Sequence, residues 1–264
     1  RKVTAAGLKG RPILVQPMTA GVTWGVFGIV GEKTEGSHLK HINISGGSGG
    51  FVGGKYFTGM VSIRSTSNIV VEHAELFDNK KFDDLVHVLY SSDVAFSNIR
   101  ITNARADGMD VDISKRISVV DSTFERIGND AIDSMTSALS LRNSHLSWCG
   151  DKGVSVGENS DVNVHNVTLS NALIGIQSKD GSIVRVRNSR FNNNQTQLDA
   201  YMKNWRYNDG GQIVVTGSSF AGDENIIKAA KRSYVTVNDS VFPSPSSVTA
   251  GKRVQLNNTS YDGS

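Results

Sequence analysis

FDDLVHVLY (82–90), ADGMDVDIS (106–114), GNDAIDSMT (128–136), GDKGVSVGE (150–158), LIGIQSKD (173–180) and QLDAYMK (197–203) are six versions of one strand. They fill the stretch Asp83–Lys203. Aligned, they place an apolar residue at Val86, Met109, Ile132, Val154, Ile176 and Leu198, one every 22 or 23 residues. A strand that returns at a fixed period of this size marks a solenoid, in which each turn stacks on the one before. Stacking a strand on its own copy one turn later demands parallel pairing. The pattern therefore predicts an all-β, single-stranded parallel β-helix of roughly nine or ten coils.

Polar residues keep the same register. One column reads Asp84, Asp107, Asp130, Lys152. A second reads His87, Asp110, Asp133, Ser155, Gln177, Asp199, and a third reads Leu89, Asp112, Met135, Gly157, Lys179, Tyr201. Side chains alternate along a strand, so Val86, Met109 and Ile132 point inward while His87, Asp110 and Asp133 point outward. Like charges facing each other on neighbouring strands destabilise a sheet. Asp107 over Asp130 and Asp110 over Asp133 thus call for a shared proton, a bound cation, a cationic ligand or the nearby lysines. The competing reading is a plain solvated polar face. As a site, the columns nominate Asp107, Asp130, Asp110, Asp133, Lys152 and His87 for catalysis, with Asp84, Asp112, Lys179 and Tyr201 lining the substrate path. Oxygen ligands suit Ca²⁺, and the sequence nominates Asp110, Asp130 and Asp133 to hold it.

A second column carries the period independently. A polar residue, or once a glycine, precedes a short run ending in Phe, Leu or Ile at His73, Asn98, Asp121, Asn143, Asn166, Asn188, Gly217 and Asp239. One long step, between Asn188 and Gly217, marks an insertion near 203–211. It carries Lys203, Trp205, Arg206 and Tyr207, read either as a sugar-stacking edge beside the groove or as cover for the solenoid's side. Residues 1–36 read as an irregular first coil or cap, and repeats run over 37–264 as part of one domain, 1–264. The glycine-rich GGSGGFVGGKYFTGM (46–60) reads as an overhanging loop, since glycine supplies flexibility there, and antiparallel hairpin signals are missing from the coils. A short helix is expected around Glu224–Lys231.

Composition narrows the function classes. Gly is abundant at 27 residues, Pro scarce at four, and the formal charge is only +3. Interleaved charges without a basic stripe exclude a nucleic-acid partner. No apolar run is long enough to span a membrane, and no signal peptide is visible. A start at Arg1 instead of Met reads as a mature or trimmed product. Cys149 is the one cysteine, so no internal disulfide forms, and its expected role is packing.

Three consecutive motifs add a resemblance. Ala106-Asp107-Gly108-Met109-Asp110, Gly128-Asn129-Asp130-Ala131 and Asp151-Lys152-Gly153-Val154-Ser155-Val156-Gly157 resemble, in order and spacing, those of the polygalacturonase-type glycoside hydrolases. The coil pattern over nearly the whole chain resembles their wider group, the pectin-lyase-like superfamily of right-handed parallel β-helices. Asn129 stands where that hydrolase family has an aspartate and Lys152 where it has a histidine, and its Arg-Ile-Lys run is not found. Of its acid–base set, Asp107 and Asp130 carry over. The resemblance implies a secreted, extracellular or periplasmic bacterial protein whose partner is a polysaccharide.

The chemistries left open need different groups. Hydrolysis needs a protonated carboxyl and a second carboxylate. β-Elimination on a uronate needs a base and a cation that neutralises the sugar acid. Lys152 beside Asp130 has its charged form favoured, which opposes a base role. The expected function is cleavage of an extracellular, uronate-containing polysaccharide. The alternatives are a non-catalytic polysaccharide-binding β-helix with structural calcium, and a polymer-level uronate epimerase.

Overall fold

The computed structural model describes residues 1–262; Gly263 and Ser264, the end of the expected 1–264 solenoid, lie outside the described residues. Three parallel sheets run along the chain, and each complete coil gives one strand to each. One coil supplies Val86–Leu89, Ser92–Ser97 and Arg100–Ala104. The next repeats them as Met109–Asp112, Lys115–Val120 and Thr123–Ile127. The result is a parallel solenoid of about 9 turns with about 23 residues per turn.

Register follows the apolar column. Val86 pairs with Met109, Met109 with Ile132, Ile132 with Val154, Val154 with Ile176, and Ile176 with Leu198. All six side chains are fully buried. Each such side chain contributes about 1.5–3 kcal/mol on burial, and a slip of one residue would turn the whole column out to water. Below, the sheet built on Val86–Leu89 is called the ladder sheet.

The corners explain the second sequence column. Asn98, Asp121, Asn143, Asn166, Asn188 and Asp239 sit at positive φ, between 49° and 53°. Asn and Asp are the non-glycine residues that enter this left-handed region most readily. A buried serine often follows, as Ser122, Ser144, Ser189, Ser218 and Ser240. A second serine file, Ser91, Ser114, Ser137, Ser160 and Ser182, marks the corner after the ladder sheet. From Ser114 onward, each hydroxyl accepts the backbone N–H of the serine one coil earlier at 2.9–3.1 Å. The corner amides are thus satisfied without water. Phe191, Phe220 and Phe242 stack in the core, with centroids 4.9 and 4.5 Å apart.

Three expectations are revised or sharpened. Glu224–Lys231 holds no helix: Asn225–Ala229 is a ladder-sheet strand, with Ile227 paired to Leu198 and Ala250. The coil's pairing overrides the local helical preference. The glycine-rich segment is not a bare loop but an antiparallel hairpin, Gly50–Val52 with Lys55–Phe57. Gly53 and Gly54 turn it, both at positive φ (56° and 76°), as a two-residue hairpin turn requires. Residues 1–36 form ordered strands, Thr4–Ala6, Ile13–Val15 and Phe27–Val30, each paired in parallel with the coil that follows. The 203–211 insertion is held by a 3-10 turn at Trp205–Tyr207, where Asn204 Oδ1 accepts the Arg206 N–H. Among the described residues no helix is long and apolar enough to cross a membrane.

Candidate active site

Ladder-sheet strands place their alternate residues outward, and two consecutive coils load that face with acid beside His87 of the coil before. Asp110 lies in register between His87 and Asp133, and Asp112 between Leu89 and Met135. His87 Nε2 is 3.3 Å from Asp112 Oδ2 and 3.9 Å from Asp110 Oδ2. On its other side, Nδ1 is hydrogen-bonded to Thr58 Oγ1 at 2.8 Å and lies 3.8 Å from Asp84 Oδ2. One imidazole therefore ties together carboxyls of two coils. All three outward groups are only partly exposed, with 13% of the His87 side chain, 21% of Asp110 and 17% of Asp112 accessible.

Asp84, Asp107 and Asp130 occupy the corner before the strand and are buried. Asp107 Oδ1 accepts the Asp130 N–H at 2.9 Å and the Asn129 side-chain amide at 2.7 Å. Asp130 Oδ1 accepts the Lys152 N–H at 3.0 Å, with Lys152 Nζ at 3.4 Å. Lys152 Nζ also pairs with Asp151. Asp107 and Asp130 thus bind the next coil's backbone. Asp133 Oδ1 accepts the N–H of Ser134 and stays half-buried on the outward face.

Electrostatics follow from crowding acids out of water. Burial pushes the Asp110 carboxyl up to about 9, with repulsion from Asp112, Asp84 and Asp133 adding to it. Burial likewise carries Asp84 to about 7, and Asp130 to about 7 against the pull of Lys152. Asp107 is raised for the same reason. Lys152 loses solvation too, but Asp151 and Asp130 outweigh that loss and raise its pKa. Cys149 is buried with its thiol pushed up to about 12, which fits packing and not nucleophilic chemistry.

The next coils bring lysines to the ladder sheet among further acids, with Asp199 on the outward column beside Gln177. Lys179 is buried, and its Nζ meets Ser155 Oγ at 3.3 Å. Tyr201 pairs in register with Lys179. Lys203, Trp205 and Arg206 are exposed and Tyr207 is half-buried, on the insertion after the Tyr201 strand. At the opposite end, a cavity of about 410 Å³ lies under the hairpin, walled by Tyr56, Phe82, Asp83 and Arg105. Thr58 and Asp83 carry no signal in the repeat pattern. Thr58 belongs to no repeat, and Asp83 shares its column with Ala106, Asn129 and Asp151, so no acid stands on the neighbouring coil to flag it.

Two groups of side chains converge tightly enough to hold a cation. In His87–Asp110–Asp112 and in Asp83–Asp84–Asp107, one ligand atom from each residue lies within 4.8 Å of the others. The all-oxygen group suits Ca²⁺, and it contains Asp84 Oδ2, a buried oxygen with no hydrogen-bond partner. The trio expected from the sequence, Asp110, Asp130 and Asp133, does not converge in this way among the described residues.

Residues 84–242 match the family model for the right-handed β-helix region. The chain belongs to this right-handed β-helix family. Solved structures agree on the pectin-lyase-like fold. The chain matches the A-module of the Azotobacter vinelandii mannuronan C-5 epimerase AlgE6 with a TM-score of 0.68 and 13% identity, covering 100% of this chain and 84% of that one. An alginate lyase from Paenibacillus sp. strain FPU-7 gives 0.57 and 12%, over 98% and 97%. Pectate lyase Pel9A gives 0.56 and 13%, over 98% of this chain but 66% of that enzyme. At such identities these matches establish how the β-helix is built. A comparison with curated proteins finds no significant match.

Proposed function

We propose that this β-helix is an extracellular enzyme that cleaves a uronate-containing polysaccharide along the outward face of its ladder sheet. The observation that carries the reading is Asp110: a partly exposed carboxyl stacked on Asp133, 3.9 Å from His87, and crowded by other acids. Such a group keeps its proton at neutral pH and can pass it to a glycosidic oxygen. Asp133, one strand away at about 4.8 Å, is placed to act as the partnering carboxylate. His87 holds Asp110 and Asp112 in place.

A second reading is proton abstraction next to a sugar carboxylate, leading to elimination or epimerisation. It is favoured by the lysines along the groove, where Lys152 and Lys179 follow the aspartates. Support for carbohydrate as the partner also comes from the names of the matched structures, which include a mannuronan epimerase, an alginate lyase and a pectate lyase.

One screen separates these readings. The protein is incubated with acidic and neutral polysaccharides, with and without Ca²⁺, while reducing ends and the ultraviolet absorbance of unsaturated uronates are followed. Reducing ends alone mean hydrolysis, and both signals mean elimination. A change in uronate stereochemistry by NMR, with neither signal, means epimerisation. Silence in all three, with tight binding to one polymer, overturns the enzyme.

A further inference from the structure

Lys179 is the anomaly of the later ladder-sheet coils. Its side chain leaves the ladder sheet one coil after Gly157 and lies back across that glycine to reach Ser155 Oγ at 3.3 Å. A methyl group on Gly157 would stand 2.4 Å from Lys179 Cε. The other positions of this column, from Leu89 through Asp112 and Met135 to Tyr201, all carry side chains, so the glycine is what makes the path. The lysine is only 8% exposed, yet no carboxylate comes within 4.0 Å of its Nζ among the described residues.

A buried ammonium is costly unless an anion compensates it. Ser155 is neutral, and a single hydroxyl satisfies one of three N–H donors. The carboxylate that feels it most is Glu158, whose pKa burial raises while Lys179 pulls it down from beyond ion-pair distance. Ser155 stacks directly on Asp133, so the ammonium reaches to within one coil of the acidic cluster. The missing counter-charge and the proposed reaction centre are therefore neighbours.

We propose that Lys179 and Ser155 form the subsite for a sugar carboxylate, with Gly157 as the residue that shapes it. The assignment rests on the polysaccharide reading and narrows it: the sugar held beside Asp133 is a uronate, its carboxylate supplying the counter-ion that the fold withholds. Neutral sugars would leave the ammonium buried and unpaired.

The test measures binding by calorimetry, using oligogalacturonate and oligomannuronate together with their carboxyl-reduced, neutral counterparts. K179M should weaken binding of at least one oligouronate by about 10- to 100-fold, the scale of a lost charge-assisted hydrogen bond, while leaving the neutral counterpart unchanged. G157A keeps the charge but closes its path, and should reproduce the loss. Melting of the free K179M variant should be unchanged or higher, because an uncompensated buried charge has been removed. Unchanged oligouronate affinity, an equal loss for acidic and neutral ligands, or a clear drop in melting temperature would each overturn the subsite. If the wild type turns over no polymer but binds oligouronate through Lys179, the enzyme reading fails and the subsite stands. If a uronate polymer is turned over equally well by wild type and both variants, the subsite fails and the enzyme reading stands.

Discussion

Asp107 and Asp130 occupy the same position on adjacent coils, yet they meet through backbone: Asp107 Oδ1 accepts the Asp130 N–H at 2.9 Å. Asp130 in turn accepts the Lys152 N–H at 3.0 Å. Each acid pins the start of the following strand, and with it the outward residues three positions on. Buried acids at the corner thus position the half-exposed acids on the face. The two columns divide the labour between scaffold and chemistry.

Stability should register that division. D107A removes the acceptor for two donors, the Asp130 amide and the Asn129 side chain. Leaving the buried Asp130 amide unsatisfied costs about 1–3 kcal/mol, while the part-exposed Asn129 amide can turn to water, so the melting temperature should fall by a few degrees. D107N retains a carbonyl oxygen and should lose less than half as much. Equal melting of both variants and wild type would show that the contact carries no stability.

Raised carboxyls also set the pH dependence of folding. Asp110 has its pKa lifted from an ordinary 3.8 to about 9, and Asp84 and Asp130 to about 7. For such acids the folded state binds the proton more tightly than the unfolded chain. Their protonated forms favour folding below the ordinary value, and that advantage is lost as pH rises toward 7 and then 9. Melting temperature should therefore be higher near pH 5 than near pH 9. D110N should flatten the upper part of that slope. A wild-type curve rising from pH 5 to 9 would contradict the crowded-acid description.

Catalysis should follow the same group. If Asp110 donates the proton, D110N should lower kcat by about 10²- to 10⁴-fold with a smaller change in KM. The alkaline limb of the wild-type kcat profile should move when His87 is replaced by Gln, because His87 contacts Asp110 and Asp112 and is not itself the donor. D133N should lose activity on a comparable scale. Full activity in D110N would move the acid elsewhere, with Asp130 the next group to replace.

Much of the fold is legible in the sequence because solenoid pairing repeats one side-chain choice per coil. Val86, Met109 and Ile132 set the register, and one left-handed corner shows as Asn and Asp, which enter that backbone most readily, whereas the corner after the ladder sheet puts Tyr90, Ile113 and Thr136 there without a sequence signal. What escapes the sequence is local. Asn225–Ala229 looks helical alone and is a strand only because Leu198 and Ala250 flank it. The acid columns are visible, but their burial is not: Asp107 and Asp130 read as groove residues, although their first partners are amides of the next coil. Thr58 cannot be read at all, since its meeting with His87 depends on the hairpin's return path. The two faces of a column differ by where a corner bends, and that is set by backbone geometry, not by residue type.

Serines at the corner should prove structural in a measurable way. Ser137 Oγ accepts the Ser114 N–H at 2.9 Å and donates to the Met135 carbonyl at 2.8 Å. S137A leaves that amide buried without a partner, at a cost of about 1–3 kcal/mol. S137T keeps the hydroxyl but adds a methyl to a packed corner. S137A should lower the melting temperature by a few degrees, and hydrogen exchange at the Ser114 amide should accelerate specifically. Slow exchange at Ser114 in S137A would mean that another group already satisfies it.

Calcium gives the last test, and it concerns Asp84. Its Oδ2 is buried without a hydrogen-bond partner, in a group where Asp83 and Asp107 lie within 4.8 Å. Three carboxyl oxygens satisfy part of the six to eight that Ca²⁺ takes, with water and sugar oxygens supplying the rest. A cation that binds only the folded chain stabilises it by about 2.7 kcal/mol at a hundred times its dissociation constant. Adding millimolar Ca²⁺ at pH 8, where Asp84 is mostly ionised, should raise the melting temperature by a few degrees, and a chelator should reverse it. At pH 5 the protons compete and the rise should shrink. D84N should abolish the Ca²⁺ response, while D112N, in the His87 group, should leave it intact. A response that survives D84N, or disappears only in D112N, would shift the cation from the all-oxygen group to the imidazole-containing one.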